Sequence, residues 1–157
     1  MSIQSVKEQL KKFNKENDII ELSESTATVV EAAQALNTKP ERIAKTISLK
    51  NSDDSAMLIL MAGDVKIDNA KFKKTFGFKP RMLSVEEAYN FTGHKVGGVC
   101  PFGLKQDLAI YLDESLKRFT TVFPACGSSN SAIELTIEEI IEITGSNNFV
   151  DVCKFID

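Results

Sequence analysis

The sequence has 157 residues, of which 43% are apolar and 26% charged, and these values are typical of a single soluble domain over residues 1–157. The net charge of −3 argues against a general affinity for nucleic acid, and the longest apolar stretch, from Ala56, is far shorter than the roughly 20 residues that cross a bilayer. Three widely spaced cysteines and an N-terminus without an apolar leader predict a cytoplasmic protein with no disulfides and no membrane contact.

The N-terminal half is predicted to contain two helices and three strands. Apolar residues at helical spacing predict a helix over SVKEQLKKFNKEN, and DIIEL, which follows, has the pattern of a short strand. Thr28 followed by Glu31 is a capping-box pattern at the start of a second helix, VVEAAQALN. Two apolar segments, AKTISLK and AMLILMAG, are joined by the polar turn NSDDS, which predicts a β-hairpin.

The C-terminal half mixes helices with short strands. Asp68 is predicted to cap a basic helix that ends at Gly77. Two further capping boxes predict helices that end at glycines: Ser84 with Glu87 before Gly93, and Thr136 with Glu139 before Gly145. The segments LAIYLD, TTVFPA, AIEL and FVDVCKF have the composition of strands. Because helices and strands do not alternate regularly, this order favours an α+β fold with a mixed sheet.

Residues 66–81 concentrate positive charge. This segment, KIDNAKFKKTFGFKPR, has six cations and one acid, Asp68, in an otherwise acidic protein. It is either a solvated helix face or a local patch that faces phosphate, and the sequence leaves both interpretations open.

Four of the eight glycines fall within twelve residues, GHKVGGVCPFGL, at positions 93–104. They either permit a left-handed turn or leave main-chain N–H groups uncovered, so that the loop can accept an anion or a developing oxyanion. The loop matches neither the G-x-G-x-x-G nor the P-loop pattern, so a nucleotide motif is not predicted.

Lys45 lies in a predicted strand and shares a face with Ile43 and Ile47 by the two-residue alternation of strands. A lysine in such a place either protects an edge strand or extends its ammonium to solvent. If the face is instead the wall of a cleft, the ammonium can bind a carbonyl or phosphate oxygen.

Conventional catalytic residues are scarce. His94 is the only histidine in the sequence, which excludes sites that need two. His94 and Cys100 are close enough in sequence to form a base and a nucleophile, although a loop histidine and a packing cysteine are the more common pair. The cysteines have no C-x-x-C spacing, so we predict no metal site and no cofactor.

The segments TVVEAAQAL, RIAKTISL, GHKVGGVCPFGL and ACGSSNSAIEL, in this order and spacing, resemble the YbaK family of free-standing tRNA-editing domains, which also occur within bacterial prolyl-tRNA synthetases. The resemblance implies an α+β fold whose mixed, largely antiparallel sheet is curled and flanked by helices. It also implies a trans-acting deacylase of mischarged tRNA, most often Cys- or Ala-tRNA(Pro). Aminoacyl-tRNA, and prolyl-tRNA synthetase as a possible further partner, would then be the molecules it meets.

The resemblance also implies the site residues. Lys45 would be the essential lysine, and the loop would offer main-chain N–H groups to the oxyanion: Gly97, Gly98, Val99 and Cys100. The residues expected to shape the substrate pocket are Thr46, Pro101, Gly103, Gly127 and Ser128. The basic helix would meet the acceptor stem through Lys71, Lys73 and Lys74. Family loops often have Ser or Ala where this chain has Cys100, and the CGSSNS turn is less basic than usual; both bear on which amino acid is removed.

Two other interpretations use the same residues. A non-catalytic module would bind an aminoacyl-tRNA or nucleotide end without hydrolysing the ester. A thiol enzyme would depend on Cys100. In the editing reaction, water, a tRNA hydroxyl or the substrate's own thiol could attack the ester.

Overall fold

The computed structural model describes residues 2–156. Within them the α-helices are α1 (Ser2–Lys11), α2 (Val29–Ala35), α3 (Asn69–Phe76), α4 (Val85–Thr92) and α5 (Ile137–Thr144). The strands are β1 (Ile20–Glu21), β2 (Ile43–Lys50), β3 (Ala56–Ala62), β4 (Val65–Ile67), β5 (Ala109–Asp113), β6 (Thr121–Pro124), β7 (Ser131–Ala132), β8 (Leu135–Thr136), β9 (Phe149–Val150) and β10 (Cys153–Phe155). No helix in the described residues is both long and apolar enough to cross a membrane.

The helices begin where the capping residues predict. At α4, Ser84 accepts a hydrogen bond from the Glu87 N–H (3.1 Å), and the Glu87 carboxylate accepts one from the Ser84 N–H (2.9 Å). The same reciprocal box starts α5. At α2, Thr28 accepts from the Glu31 N–H, but the Glu31 carboxylate accepts from the Thr28 hydroxyl and not from its N–H, so only half of that box forms.

A six-stranded sheet in the order β8-β6-β2-β3-β5-β9 forms the centre of the molecule. The predicted hairpin is present as the antiparallel pair β2–β3, whose register aligns Lys45 with Met61. The pairs β6–β8, β1–β7 and β4–β10 are also antiparallel, whereas β2–β6, β3–β5 and β5–β9 are parallel. The expected mixed, largely antiparallel α+β fold is therefore confirmed.

Two boundaries differ from the sequence-based expectations. The first helix ends at Lys11 and not near residue 17, and Asn14 adopts a positive φ of 60° in the turn that follows. The segment FVDVCKF forms two strands in different sheets and not one. It breaks at Val152, whose N–H donates to the Asp113 carboxylate (3.0 Å) and so leaves the ladder.

The edge of β2 that faces away from β3 has a gap. On that side, β6 pairs only with Ile43 and Ala44. At the C-terminal end of β2, residues 81–83 lie along the same edge. There the Lys50 N–H donates to the Arg81 carbonyl (2.8 Å), and the Leu83 N–H donates to the Ser48 carbonyl (3.1 Å). On this edge of β2, residues 45–47 have no neighbouring strand within residues 2–156. The candidate site lies at this gap.

Candidate active site

A cavity of about 350 Å³ lies against the gap in β2. Its floor is formed by the consecutive β2 residues Ile43–Ser48. Its walls come from the start of α2, the start of α4, the glycine loop and the end of β6; the wall residues include Val29, Ala32, Val85, Ala88, Val96, Gly97, Val99, Phe123 and Ala125. The lining of the whole cavity is predominantly apolar and includes a few polar residues, as is usual for a small-molecule site.

Lys45 supplies the positive charge of the cavity. Within residues 2–156 its ammonium forms no ion pair and no hydrogen bond, unlike that of Lys50 on the same strand, which pairs with Glu87 at 3.2 Å. Burial lowers the pKa of Lys45 from its ordinary value, and the negative charge of the Asp64 carboxylate opposes this shift. A half-buried ammonium without a partner is available to an oxygen of a bound substrate.

Thr46 lies beside it on the floor and has unpaired polar groups. Strand residues direct their main-chain groups alternately toward and away from the partner strand. Since Ser48 and Lys50 bond to residues 81–83 on the side away from β3, Thr46 also directs its N–H and C=O to that side, into the gap. Its hydroxyl is buried and has no hydrogen-bond partner in the described part of the chain. These groups are consistent with the predicted role of Thr46 in substrate binding, which stays a prediction.

The glycine loop enters the cavity through a type II turn at residues 95–98. The Gly98 N–H donates to the Lys95 carbonyl (3.0 Å), and Gly97 occupies the third position with a φ of 88°, which favours glycine there. The Gly98 N–H is therefore already bonded, and the expectation that it serves as an oxyanion donor needs correction. Gly97 and Val99 line the cavity, and no acceptor in residues 2–156 takes their N–H groups.

Gly98 instead allows the backbone of the loop to lie close to the backbone of residues 127 and 128. A Cβ at this position would lie 2.6 Å from the Gly127 carbonyl carbon and from the Ser128 nitrogen. The loop and the small-residue turn at Gly127 and Ser128 thus pack directly on each other. Gly127 and Ser128 do not line the cavity; Ser128 instead shares a 2.6 Å hydroxyl contact with Ser131, which does.

Cys100 and His94 are both fully buried beside the loop. The His94 ring Nε2 lies 2.6 Å from the Phe102 carbonyl, and the Cys100 sulfur lies 3.6 Å from both groups. Burial raises the pKa of the Cys100 thiol to about 12, and burial also lowers the pKa of His94. Cys100 does not line the cavity and its thiol is a protonated packing group, which argues against the thiol enzyme; the expected role of its main-chain N–H stays a prediction.

We expect Cys100→Ser to retain deacylation activity to within about tenfold, a change in activation free energy of about 1.4 kcal/mol or less, because the side chain does not reach the substrate. The free energy of unfolding should fall by about 1 kcal/mol, since a hydroxyl replaces a well-packed sulfur. Steady-state kinetics and thermal unfolding measure the two effects. Complete loss of turnover in a folded variant would restore the thiol mechanism.

Pro101 and Gly103 lie on the other side of the loop, against α1. The Ser5 hydroxyl donates to the Gly103 carbonyl (2.9 Å), and the Gly103 N–H donates to the Gln9 side-chain oxygen (2.5 Å). Both residues line a separate groove next to α1 and are absent from the lining of the cavity. Contact of these two residues with the substrate stays a prediction, and the hydrogen bonds of Gly103 anchor the loop to α1.

The basic helix α3 does not contribute to the cavity lining. The Lys71 ammonium is already engaged, with the Asp151 carboxylate at 3.1 Å and the Cys153 carbonyl at 2.9 Å. Lys73 and Lys74 are exposed. Contact of this helix with an acceptor stem stays a prediction. In the described residues, no three side chains of His, Cys, Asp or Glu are grouped so that they could hold a metal ion.

Sequence reasoning missed the walls that come from elsewhere in the fold. Residues 26–29 and 82–85 lie at the starts of α2 and α4, and both line the cavity. The capping residues Thr28 and Ser84 located these helix starts, but their convergence depends on the gap in β2. For Phe123 and Ser131 no sequence pattern indicated a place in the cavity; the pattern around them indicated only strands.

The comparison with protein families decides the relationship. The family model described as the aminoacyl-tRNA editing domain matches residues 23–143, which include both the floor and the loop. The chain belongs to this family. The sequence-based prediction of an editing hydrolase that acts on aminoacyl-tRNA is thereby confirmed.

Several members of the editing family are similar over most of this chain. YwhH of Bacillus subtilis, an uncharacterized protein, is 54% identical over 98% of each chain. EbsC of Enterococcus faecalis, provisionally named a Cys-tRNA(Pro)/Cys-tRNA(Cys) deacylase, is 27% identical over 78% of this chain and 75% of its own length. A solved structure provisionally described as a trans-editing enzyme for prolyl-tRNA synthetase is 30% identical, with a TM-score of 0.87 over 98% of this chain and 97% of its own.

Editing-family segments also occur in proline–tRNA ligases. In the ligase of Brachyspira hyodysenteriae the similarity is 31% identity over 91 residues, which is 57% of this chain but 16% of the ligase. The likeness therefore concerns one part of a much longer enzyme.

Proposed function

We propose that this protein acts in trans as a deacylase that removes cysteine or alanine from mischarged tRNA(Pro). One observation carries the proposal: Lys45, Gly97 and Val99 line the same cavity, and within residues 2–156 neither the Lys45 ammonium nor the N–H groups of Gly97 and Val99 have a hydrogen-bond partner. Two similar proteins, EbsC and the trans-editing enzyme, have names that refer to the same reaction, which supports it.

The reaction needs little more than these groups. Attack on the ester carbonyl carbon forms a tetrahedral oxyanion, and its collapse breaks the bond to the ribose oxygen, which leaves as a hydroxyl after taking up a proton. Gly97 and Val99 would donate to the oxyanion, and Lys45 would hold the carbonyl or the terminal adenosine. One such donor is typically worth about 3 kcal/mol of the barrier. The donors serve equally for direct attack by water, by a neighbouring tRNA hydroxyl or by the thiol of a bound cysteine. In the last two cases the acyl group first moves to that oxygen or sulfur, and water then hydrolyses the new ester or thioester.

The cavity also supports a small amino acid as the substrate. Its apolar side chains, including Ala32, Ile43 and Phe123, leave room for a short side chain and offer few hydrogen bonds.

We also propose a recruiting partner and a cellular location for the deacylase. Mischarged tRNA(Pro) is the product of prolyl-tRNA synthetase, so this enzyme is the partner that we propose for the deacylase. The occurrence of similar segments within proline–tRNA ligases supports this choice. We propose the cytoplasm as its location, since translation takes place there and the cysteines in the described residues are free.

The test is a deacylation panel. Purified protein is incubated with Ala-, Cys-, Ser- and Pro-tRNA(Pro), and the released amino acid is measured. We expect turnover of the alanyl and cysteinyl esters and little of the prolyl ester. Saturable binding without release of any amino acid would support the non-catalytic module instead, and would overturn the proposal.

A further inference from the structure

Exposed apolar side chains lie on the cavity wall and on the adjoining turn of α4. Met82, Val85 and Val96 line the cavity and are nevertheless 59%, 62% and 69% exposed. Tyr89 lies one turn beyond Val85 on α4 and is 45% exposed. We call these four residues the rim. A contiguous exposed apolar surface next to a site is typical of an interaction surface.

Unpaired cations accompany the rim. Arg81 directly precedes Met82, and Lys95 directly precedes Val96; both are exposed and form no ion pair within residues 2–156. Their main chains are held in place, because the Arg81 carbonyl accepts from the Lys50 N–H and the Lys95 carbonyl accepts from the Gly98 N–H. The main-chain position from which each of these side chains extends is therefore set by the fold.

The carboxylates of this region oppose these cations only weakly. The Glu87 carboxylate already accepts the capping hydrogen bond of α4 and forms an ion pair with Lys50. Glu86, in the first turn of α4, and Glu31, in the first turn of α2, are exposed carboxylates near the cavity. The surface at the rim thus combines apolar side chains with cations, which is the combination that binds single-stranded nucleic acid through bases and phosphates.

We infer that the rim, together with Arg81 and Lys95, binds the single-stranded 3′ end of the tRNA. This rests on the proposed function. An ester bound at the floor is attached to a polymer, and a cavity of about 350 Å³ holds a ligand of small-molecule size, so the preceding nucleotides leave through the mouth. The bases pack on Tyr89 and Met82, and the phosphates lie near the two cations.

The first experiment compares two double variants. Arg81→Gln/Lys95→Gln is expected to raise the KM for Ala- or Cys-tRNA(Pro) about tenfold at nearly constant kcat, and to reduce the slope of log KM against log salt by about 1.4, or ~0.7 for each lost phosphate contact. Lys73→Gln/Lys74→Gln on α3 removes the same charge elsewhere. If the α3 pair changes the salt slope and the rim pair does not, the RNA crosses α3 and the inference is wrong.

A second substrate separates this inference from the proposed function. The 3′-aminoacyl ester of adenosine has no preceding nucleotides, so the rim double variant should hydrolyse it at the wild-type rate. If wild-type protein hydrolyses neither substrate, the proposed function fails. If it hydrolyses both and the double variant matches it on full tRNA, the inference alone fails.

Aromatic stacking has its own matched control. Tyr89→Ala is expected to raise the Kd for uncharged tRNA(Pro) about tenfold, whereas Tyr89→Phe keeps the stacking ring and should bind within about twofold of wild type. Phe155→Ala removes another exposed aromatic ring, at the C-terminal strand, and should not change the Kd. Equal effects of Tyr89→Ala and Phe155→Ala would exclude a specific stacking role.

Discussion

Lys45→Met is expected to lower kcat/KM for hydrolysis of Ala- or Cys-tRNA(Pro) by at least about 100-fold, the loss typical of removing one group that stabilises an oxyanion. The same substitution should leave the free energy of unfolding unchanged or raise it by up to about 1 kcal/mol. Burial disfavours the charged form of Lys45, so its ammonium destabilises the fold. This cost is complete below the lowered pKa of the folded state, shrinks as the pH rises above it, and vanishes above the ordinary lysine pKa. Methionine removes the cost and keeps most of the volume.

Lys50→Met is the matched control for Lys45. Lys50 is on the same strand and is similarly half-buried, but it pairs with Glu87 and does not line the cavity. Its replacement should cost at most about 1 kcal/mol of stability and leave kcat/KM nearly unchanged. Kinetics together with thermal unfolding would contradict this account if Lys45→Met proved markedly less stable while its activity persisted, because Lys45 would then be a structural residue.

Gly98→Ala is the second change for which we expect a large effect. The added methyl would lie 2.6 Å from main-chain atoms of Gly127 and Ser128, and neither backbone segment can rotate away as a side chain can. The turn at residues 95–98 must therefore shift, and the N–H groups of Gly97 and Val99 shift with it. We expect kcat/KM to fall about 100-fold, as for a reactive group displaced by about 1 Å, and stability to fall by about 1–3 kcal/mol.

Gly145→Ala is the control that distinguishes backbone strain from displacement of the N–H donors. Gly145 has a φ of 72° at the end of α5, and a Cβ there would meet nothing within 4 Å. This variant should lose about 1–2 kcal/mol from left-handed strain and retain its activity. Both variants are assayed well below their melting temperatures. Wild-type turnover by Gly98→Ala would show that the contact with residues 127 and 128 does not position the donors.

Local signals predicted most of the elements and one side of the site. The pairs of Ser or Thr with Glu located α4 and α5 because capping is decided within four residues. The alternation of AKTISLK placed Lys45 in a strand with its neighbours, and the structure puts it on the cavity floor. The concentration of glycine at residues 93–104 predicted a left-handed turn or uncovered N–H groups, and Gly97 has both: a φ of 88° and an N–H without an acceptor in residues 2–156.

Non-local contacts decided what the sequence alone could not. The gap in β2 exists because β6 pairs with only two of its residues, and no local pattern encodes where a parallel neighbour stops. Gly103 meets Ser5, 98 residues away, so an expected pocket residue also anchors the loop to α1. The hydrogen bond from Gly98 to Lys95 likewise removes one expected donor, because a turn that uses an N–H leaves it unavailable to a ligand.

The central claim is that Lys45 and the free N–H groups of the loop act on one bound ester. The most direct test is NMR of isotope-labelled protein during titration with an adenosine that carries alanine in a non-hydrolysable 3′-amide. This account predicts the largest amide proton shifts at Gly97 and Val99, together with a shift of the Lys45 ammonium signal. Shifts confined to α3 or to the groove beside α1, with these three signals unmoved, would contradict it.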